Sequence, residues 1–317
     1  MTNIKISVVI PLYNKAAHIV DAMNSIVSQQ YAASEIVIVD DGSTDNGADI
    51  AQTHASQIDI PVKIVRQANQ GVSVARNNGV EASSSKYIAF LDADDTWLPL
   101  FLDEMVNLIM QYPNAGFYGS RYQCIAEEGQ YFDANINMDL IAKNGFNPNG
   151  MLLSNYFEVA SEGDLPFMVS SSVVTKALFN EVGGFPAGEK IGEDQDFFAN
   201  CALKGDIAYS PNINLLYATV AENKATQQHV PIKECPFSQR LAEKASSQGL
   251  SEANHILKYC AAHLCHLAKL NLRKGEFKHA MTLLSDSRCA LKPKHRVGLY
   301  LAAMLGQSYS QFKRVFS

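Results

Sequence analysis

Three aspartates, Asp92, Asp94 and Asp95, directly follow a short apolar run at residues 87–91. An apolar run of this length is typical of a buried strand, and acids at its carboxyl end lie where open α/β sheets bind ligands. Carboxylates this close repel one another unless a cation such as Mg²⁺ or Mn²⁺ neutralises them. The segment therefore predicts a divalent cation site, although the same acids also suit the cap of a helix beginning near Trp97.

Polar residues follow other predicted elements at the same edge. The pair Asp40-Asp41 ends the second apolar run, and Glu193-Asp194 opens a helical stretch. After the first run, Tyr13 could stack on a nucleobase, and a carboxylate after the second could accept from a base N–H or a ribose hydroxyl. No G-x-G-x-x-G follows the first run and no P-loop motif occurs, which argues against a dinucleotide fold and P-loop chemistry.

The elements that must position these residues alternate between apolar runs and stretches of helical spacing. Strands at this rhythm, joined by short helices, predict parallel crossovers and an α/β fold with a doubly wound, mostly parallel sheet. The predicted strands are 4–10, 35–39, 62–65, 87–91, 115–124 and 167–175, and the predicted helices are 18–30, a stretch ending near 56, 71–82, 101–112, 176–182 and 192–203.

The last third of the chain has only helical patterns, interrupted at Gly275 and ended by Pro293. We therefore expect a first domain at residues 1–220 and a helical C-terminal appendage at 221–317. After residue 268 there are ten Lys and Arg against two acids, which gives this part a net charge of +8. Because the whole chain has a net charge of −6, the first 268 residues have a net charge of −14. A basic tail on an acidic body predicts peripheral contact with an anionic surface such as a membrane, with a solvated helix face as the alternative.

Composition and cysteine usage are those of an ordinary globular protein of 317 residues. The six cysteines are scattered without framework spacing, which predicts reduced thiols. We see no signal peptide and no apolar stretch long enough to cross a bilayer, so we expect a cytoplasmic protein. Contact through its basic tail would place it peripherally at the inner face of the membrane. The basic run at 292–296 lacks interleaved aromatics, so no nucleic-acid partner is expected.

Several motifs occur in a fixed order across residues 4–205, and together they resemble a family-2 glycosyltransferase with the GT-A fold. Each motif is modest alone, and the ordered set carries the resemblance. The motifs are Ser7-Val8-Val9-Ile10-Pro11-Leu12-Tyr13-Asn14, Asp40-Asp41-Gly42-Ser43-Thr44-Asp45, Asn69-Gln70-Gly71, Ala75-Arg76-Asn77, Phe90-Leu91-Asp92-Ala93-Asp94-Asp95, Val182-Gly183-Gly184-Phe185 and Glu193-Asp194.

The resemblance implies a metal-assisted transfer of a sugar, of hexosyl or N-acetylhexosaminyl type, from a nucleotide donor that is usually UDP-linked. It implies inversion at the anomeric carbon and a saccharide or lipid-linked acceptor, as in bacterial surface polysaccharide synthesis. The implied cofactor is Mn²⁺ or Mg²⁺. The implied residues are Asp94, with Asp95 as the alternative, at the metal; Pro11, Tyr13, Asp41, Arg76 and Asp92 at the donor; and Asp194 as the base that deprotonates the acceptor.

Two other functions fit parts of the pattern. Asp92-x-Asp94-x-Thr96 after an apolar strand also suits a haloacid-dehalogenase-like phosphatase, which however places its nucleophile on the first strand and needs a later Lys and acidic pair. A non-catalytic nucleotide-sugar-binding protein would share the donor residues. Arg76 could also form only a surface ion pair, and donor hydrolysis with metal would separate a transferase from a phosphatase and from a binder.

Overall fold

The computed structural model describes residues 4–126, 129–143, 145–219, 230–247, 249 and 252–315. The chain divides into two compact units, the first made of residues 1–156 and 165–223 and the second of 157–164 and 224–317. Within the described part, no helix has both the length and the apolar character that crossing a bilayer requires. The six cysteines are buried free thiols.

The first unit is a mixed α/β fold. Its strands are β1 Ile6–Leu12, β2 Glu35–Asp40, β3 Val62–Arg66, β4 Tyr87–Phe90, β5 Thr96–Trp97, β6 Phe117–Ile125, β7 Tyr131–Asp133, β8 Met151–Leu152, β9 Ser172–Thr175 and β10 Ile207–Ala218. Its helices are α1 Ile19–Val27, α2 Gly47–Ala55, α3 Val72–Ala82, α4 Phe101–Gln111, α5 Met138–Ala142, α6 Tyr156–Ser161 (which runs into the second unit), α7 Lys176–Val182 and α8 Glu193–Lys204. A 3₁₀ turn at Val169–Ser171 precedes β9.

The strands form one sheet in the order β3-β2-β1-β4-β9-β6-β10-β5, with β7 beside β6 and β8 beside β10. The pairs among β3, β2, β1 and β4 are parallel, and β9 runs antiparallel to β4 and β6. Strand β1 is therefore central, and its apolar residues are fully buried. The predicted α/β class and doubly wound, mostly parallel first half are confirmed.

One local prediction near the aspartates is wrong, and one strand was not predicted. No helix begins at Trp97, because Thr96 and Trp97 form β5 against β10, and Leu98 N still donates to Asn214 O at 2.9 Å. Helix α4 begins only at Phe101, after Pro99. The twelve-residue strand β10 was missed, because register shifts near Ser210 break the alternation that marks a strand.

The second unit is helical. Its helices are α9 Pro236–Ser247, α10 Ala253–Arg273, α11 Phe277–Leu284 and α12 Pro293–Val315, with a 3₁₀ turn at Ser287–Leu291. Pro293 begins a helix instead of ending one, a position that proline favours because the first helical N–H needs no partner.

The domain boundary also differs from the sequence-based one, which placed residues 157–164 in the first domain. This segment packs with the second unit because Glu162 lies between two lysines. Lys292 Nζ donates to Glu162 Oε2 at 2.8 Å and to Ser161 O at 2.7 Å, and Lys258 pairs with the other oxygen. Sequence separation hides such contacts, which join residues more than ninety positions apart.

Candidate active site

The carboxyl ends of β1, β2 and β4 meet at one edge of the sheet. Leu12 is paired with Asp40, and Leu91 N donates to Val9 O at 3.0 Å directly after β4 ends. The residues after these strands therefore gather at one place, as predicted from the sequence. Two more segments reach the edge: the 3₁₀ turn before β9 and the first turn of α8.

Asp94 is held by a lysine that motif analysis did not single out. Lys15 Nζ lies 2.9 Å from Asp94 Oδ2, and the two side chains are 13% and 11% exposed. Lys15 lies two residues after Tyr13, a predicted donor residue, and its positive charge at that position was the signal available in the sequence. The ammonium group shows that this oxygen faces a position that accepts a cation.

Asp95 is buried, and both of its carboxylate oxygens accept hydrogen bonds from the protein. Its Oδ2 accepts from Ser170 Oγ at 2.6 Å, and its Oδ1 accepts from Ala218 N at 3.0 Å. Ser170 Oγ in turn accepts from Asp92 N at 3.1 Å. Asp95 and Ser170 thus tie the aspartate segment to the end of β10 and to the turn before β9. No sequence motif marked Ser170.

Arg76 on α3 connects the two groups of acids. Its Nη2 donates to both oxygens of Asp92, at 2.8 and 3.0 Å, and its Nη1 lies 3.5 Å from Glu193 Oε1. Its guanidinium lies 5.1 Å from the centre of the Phe185 ring. Burial lowers the pKa of Arg76, but Asp92 and Glu193 outweigh burial and raise it overall. Arg76 is 4% exposed, so its ion pairs are buried and not at the surface, while its part in donor binding stays a prediction.

Glu193 and Asp194 occupy the first turn of α8, which Gly192 enters with a φ of 88°. Asp194 Oδ1 accepts from Gln195 N at 2.7 Å, as expected for an acid at a helix N-terminus. Burial raises the pKa of Glu193 to about 7, helped by the charge of Asp194 and opposed by Arg76. Burial also raises the pKa of Asp194, against the opposing effects of the Gln195 N–H and Arg76. A raised pKa suits a group that takes up a proton.

The loop before α8 is fixed by Asn77 on α3. Asn77 Nδ2 donates to Phe185 O at 2.8 Å, and Phe185 N donates to Asn77 Oδ1 at 2.9 Å. A Cβ on Gly184 would lie 2.8 Å from Asn77 Oδ1, and its φ of 68° also favours glycine. The Phe185 and Phe197 rings, 4.3 Å apart, tie this loop to α8. Gly184 therefore serves a close contact within the protein.

Asp41 organises the loop before α3. Its Oδ1 accepts from Gln67 Nε2 at 2.7 Å and from Gln70 N at 2.8 Å, and its Oδ2 accepts from Gly71 N at 2.8 Å. Asp41 is 3% exposed, whereas Tyr13 is 42% exposed at the same edge. The Tyr13 side chain is therefore accessible to a ligand, whereas Asp41 is engaged with the loop before α3.

Tyr217, near the end of β10, is a further residue that sequence reasoning missed. Burial raises the pKa of its phenol, and the charges of Asp95, Asp92, Asp194 and Asp94 raise it further. Its ring centre lies 6.1 Å from that of Tyr122. It lies in the strand that was not predicted, so no pattern could have placed it beside the acids.

A separate cavity of about 590 Å³ lies beside α4. Its polar wall is Glu104 with the irregular part of β10: Glu104 Oε2 accepts from Ser210 Oγ and Asn214 Nδ2, both at 2.6 Å. The acids at the sheet edge, Asp92, Asp94, Glu193 and Asp194, are not among the residues that line it. These bonds satisfy the polar side chains of a distorted strand, so we place the chemistry at the acidic edge.

The described residues contain no group of three or more His, Cys, Asp or Glu side chains arranged to hold a metal ion. Asp94 nevertheless binds a cation in the form of Lys15. Mg²⁺ is commonly held by one or two carboxylates together with substrate phosphates. The site therefore fits a divalent cation whose remaining ligands come from a bound phosphate compound or water.

Comparison with known proteins identifies relatives by sequence and by fold. Residues 7–160 match the family model described as Glycosyl transferase family 2. The uncharacterized glycosyltransferase YibD of Escherichia coli K12 is 42% identical over 107 residues, 34% of this chain and 31% of that protein. The glycosyltransferase GlyG of Streptococcus pneumoniae is 28% identical over 219 residues, 67% of this chain and 70% of GlyG.

The crystal structure of Staphylococcus aureus TarS 1-349 in complex with UDP-GlcNAc has the same fold. It matches with a TM-score of 0.69 and 18% identity, over 97% of this chain and 92% of that one. Alignments with the first curated relatives span about a third of their length.

Proposed function

We infer that this chain, which is a family-2 glycosyltransferase with the GT-A fold, transfers a sugar from a nucleotide donor to an acceptor hydroxyl with inversion. One observation carries the proposal: two groups of acids, Asp92/Asp94 after β4 and Glu193/Asp194 on α8, meet across Arg76. The first group suits a nucleotide diphosphate with a cation, and the second suits an acceptor proton.

A UDP-linked donor is supported by the TarS structures solved with UDP-GlcNAc and with UDP. Tyr13, exposed beside Pro11, would stack on the base, and Asp41 would hold the loop that closes the base site. Asp92 would face the ribose, with Arg76 fixing its orientation through two hydrogen bonds.

Asp94 would hold Mn²⁺ or Mg²⁺. When bound there, the cation would neutralise negative charge on the leaving nucleoside diphosphate. Asp95 was the alternative ligand, but both of its oxygens already accept hydrogen bonds from Ser170 and Ala218. We therefore assign Asp95 to positioning the segment that presents Asp94.

Asp194 would take the proton from the acceptor hydroxyl as that oxygen attacks the anomeric carbon. Its raised pKa favours proton uptake, and its place in the first turn of α8 fixes the carboxylate. Attack on the face opposite the leaving diphosphate gives inversion. Arg76 pairs with both Glu193 and Asp92, so it would hold the Glu193-Asp194 turn next to the donor residues.

The acceptor we propose is a saccharide or glycolipid of bacterial surface polysaccharide synthesis. TuaG of Bacillus subtilis, described as a candidate teichuronic acid biosynthesis glycosyltransferase, is 36% identical over 140 residues, which cover 55% of TuaG. A hexosyl or N-acetylhexosaminyl donor is in keeping with the TarS complex.

The second unit would hold the enzyme at an anionic membrane surface. Exposed apolar side chains follow helical spacing on α12: Val297, Leu301, Met304 and Leu305 are 56% to 72% exposed. Exposed basic residues accompany them: Lys269, Arg273, Lys274, Lys278 and Lys294.

The charge available for that contact is smaller than the sequence suggested. Arg288 is engaged by Glu234 and Asp286, and Lys292 by Glu162. Four residues of the tail that could add apolar contact or charge lie outside the part whose side chains are described: Phe312, Lys313, Arg314 and Phe316.

The proposal is tested by measuring the melting temperature of the protein with each of a panel of nucleotide sugars, with and without Mn²⁺. We expect one donor to raise the melting temperature only when Mn²⁺ is present. We also expect slow hydrolysis of that donor, measured as released nucleotide, when no acceptor is added. Cleavage of generic phosphomonoesters would instead indicate the phosphatase, and stable binding without release would indicate a binding protein.

A further inference from the structure

Lys15 occupies the carboxylate that the proposed function assigns to the cation. We propose that Lys15 is a further donor-binding residue, whose ammonium neutralises Asp94 in the free protein and moves to the donor diphosphate when cation and donor bind. This inference rests on the proposed function. It adds a group that binds the phosphates and that competes with the cation for Asp94.

The backbone on both sides of Lys15 is fixed. Asn14, with a φ of 51°, accepts from Thr44 N through its Oδ1 at 2.8 Å, and Asn14 N donates to Ser43 Oγ at 3.1 Å. Ala16 N donates to Asp45 Oδ2 at 2.9 Å. The Lys15 Cα is therefore anchored to the loop after β2, while four side-chain bonds remain rotatable.

Lys15 and a cation would compete for the same oxygen. Lys15 Nζ lies 2.9 Å from Asp94 Oδ2, in a pair that is largely shielded from solvent. A divalent cation bound at this oxygen would repel the ammonium at close range, and partial burial strengthens that repulsion. The displaced ammonium would then pair with another anion, and the diphosphate held by the same cation would supply one.

A lysine suits this exchange. Its ammonium is a compact charge on a flexible stem with three donors, and it binds phosphates well. The exchange predicts opposite effects of removing the charge. Without donor, the cation should bind Asp94 more tightly, and with the cation present the nucleoside diphosphate should bind more weakly.

Calorimetry on the full chain tests this with Lys15→Met, which removes the charge and keeps most of the length of the side chain. We expect Mn²⁺ alone to bind about tenfold more tightly than to the wild type, and UDP at saturating Mn²⁺ to bind about tenfold more weakly. Lys15→Arg keeps the charge and should bind Mn²⁺ alone as the wild type does. The control is Lys204→Met, which removes an exposed lysine 3.9 Å from Glu181 and should change neither affinity.

Unchanged affinities in Lys15→Met, or the same direction of change for Mn²⁺ and UDP, would overturn the exchange while leaving the proposed function intact. If the wild type binds neither Mn²⁺ nor UDP, the proposed function itself is wrong. Should Lys15→Met unfold, Lys15→Gln is measured in its place, and each variant is first shown to be folded by a cooperative melting transition above the temperature of the calorimetry.

Discussion

Replacing Arg76 by methionine should destabilise the protein more than any surface ion-pair mutation, because Arg76 compensates several acids at once. It is 4% exposed, donates to both oxygens of Asp92 at 2.8 and 3.0 Å, and lies 3.5 Å from Glu193. Methionine preserves most of the apolar contact with Phe185. The substitution therefore isolates the charge.

The magnitude follows from burial of the partners. Removing one partner of a fully buried pair costs roughly 3–5 kcal/mol. The Asp92 and Glu193 side chains are 28% and 14% exposed, so water recovers part of that cost. We expect a loss of about 2–4 kcal/mol in the free energy of unfolding at pH 8. Arg76 favours ionised carboxylates, so the loss should shrink as pH falls and Glu193 takes up a proton.

Urea denaturation at pH 8 and pH 5.5 measures these changes. The matched control is Arg66→Met, which breaks an exposed pair with Asp49 at 2.6 Å and should leave the free energy of unfolding nearly unchanged, because exposed ion pairs contribute little. The double variant Arg76→Met/Glu193→Gln should be more stable than the sum of the two single effects predicts. In Arg76→Met the Glu193 carboxylate has lost its compensating charge, and Glu193→Gln removes that carboxylate. A loss in Arg76→Met no larger than in Arg66→Met, at both pH values, would refute the role.

Three further predictions concern other parts of the chain. Asp95→Asn should lose about 1–3 kcal/mol of stability yet keep its Mn²⁺ affinity in calorimetry, whereas selective loss of Mn²⁺ binding would make Asp95 a ligand. Because its pKa is raised from 4.5 to about 7, ionised Glu193 destabilises the fold increasingly as pH rises through that range. Glu193→Gln should therefore gain up to about 3 kcal/mol relative to the wild type between pH 4.5 and pH 8 in urea titrations; a gain that does not grow with pH is the contrary result. The double variant Leu301→Glu/Leu305→Glu should sediment less with anionic liposomes at low salt than the wild type does. Equal sedimentation would refute the membrane contact, and so would a wild type that dimerises through α12.

The sequence predicted the elements whose signals are local. The apolar runs of β1, β2 and β4 are uninterrupted, and the acids that follow them mark the sheet edge. Strand β10 was not predicted, because its irregular middle hides the alternation, and its partners lie far away in sequence. The change from helix to β5 at Trp97 follows from the same omission, since only β10 makes those two residues a strand.

The site shows the same limit. The positions of Asp92, Asp94 and Asp194 followed from motifs, but which of their oxygens are engaged depends on residues with no motif. Ser170 takes one oxygen of Asp95, and Lys15 takes one of Asp94. These contacts join residues more than seventy positions apart, so only the folded chain reveals them.

The most direct test compares the wild type with Asp94→Asn and Asp194→Asn, measuring UDP-sugar affinity by calorimetry with Mn²⁺ and sugar transfer from the same donor. Two separate acidic groups predict that Asp94→Asn loses Mn²⁺-dependent donor binding. Asp194→Asn should bind donor as the wild type does and transfer roughly 10²- to 10⁴-fold more slowly, the usual cost of losing a general base. Normal transfer by Asp194→Asn, or undiminished Mn²⁺-dependent binding by Asp94→Asn, would contradict the division of roles between the two groups.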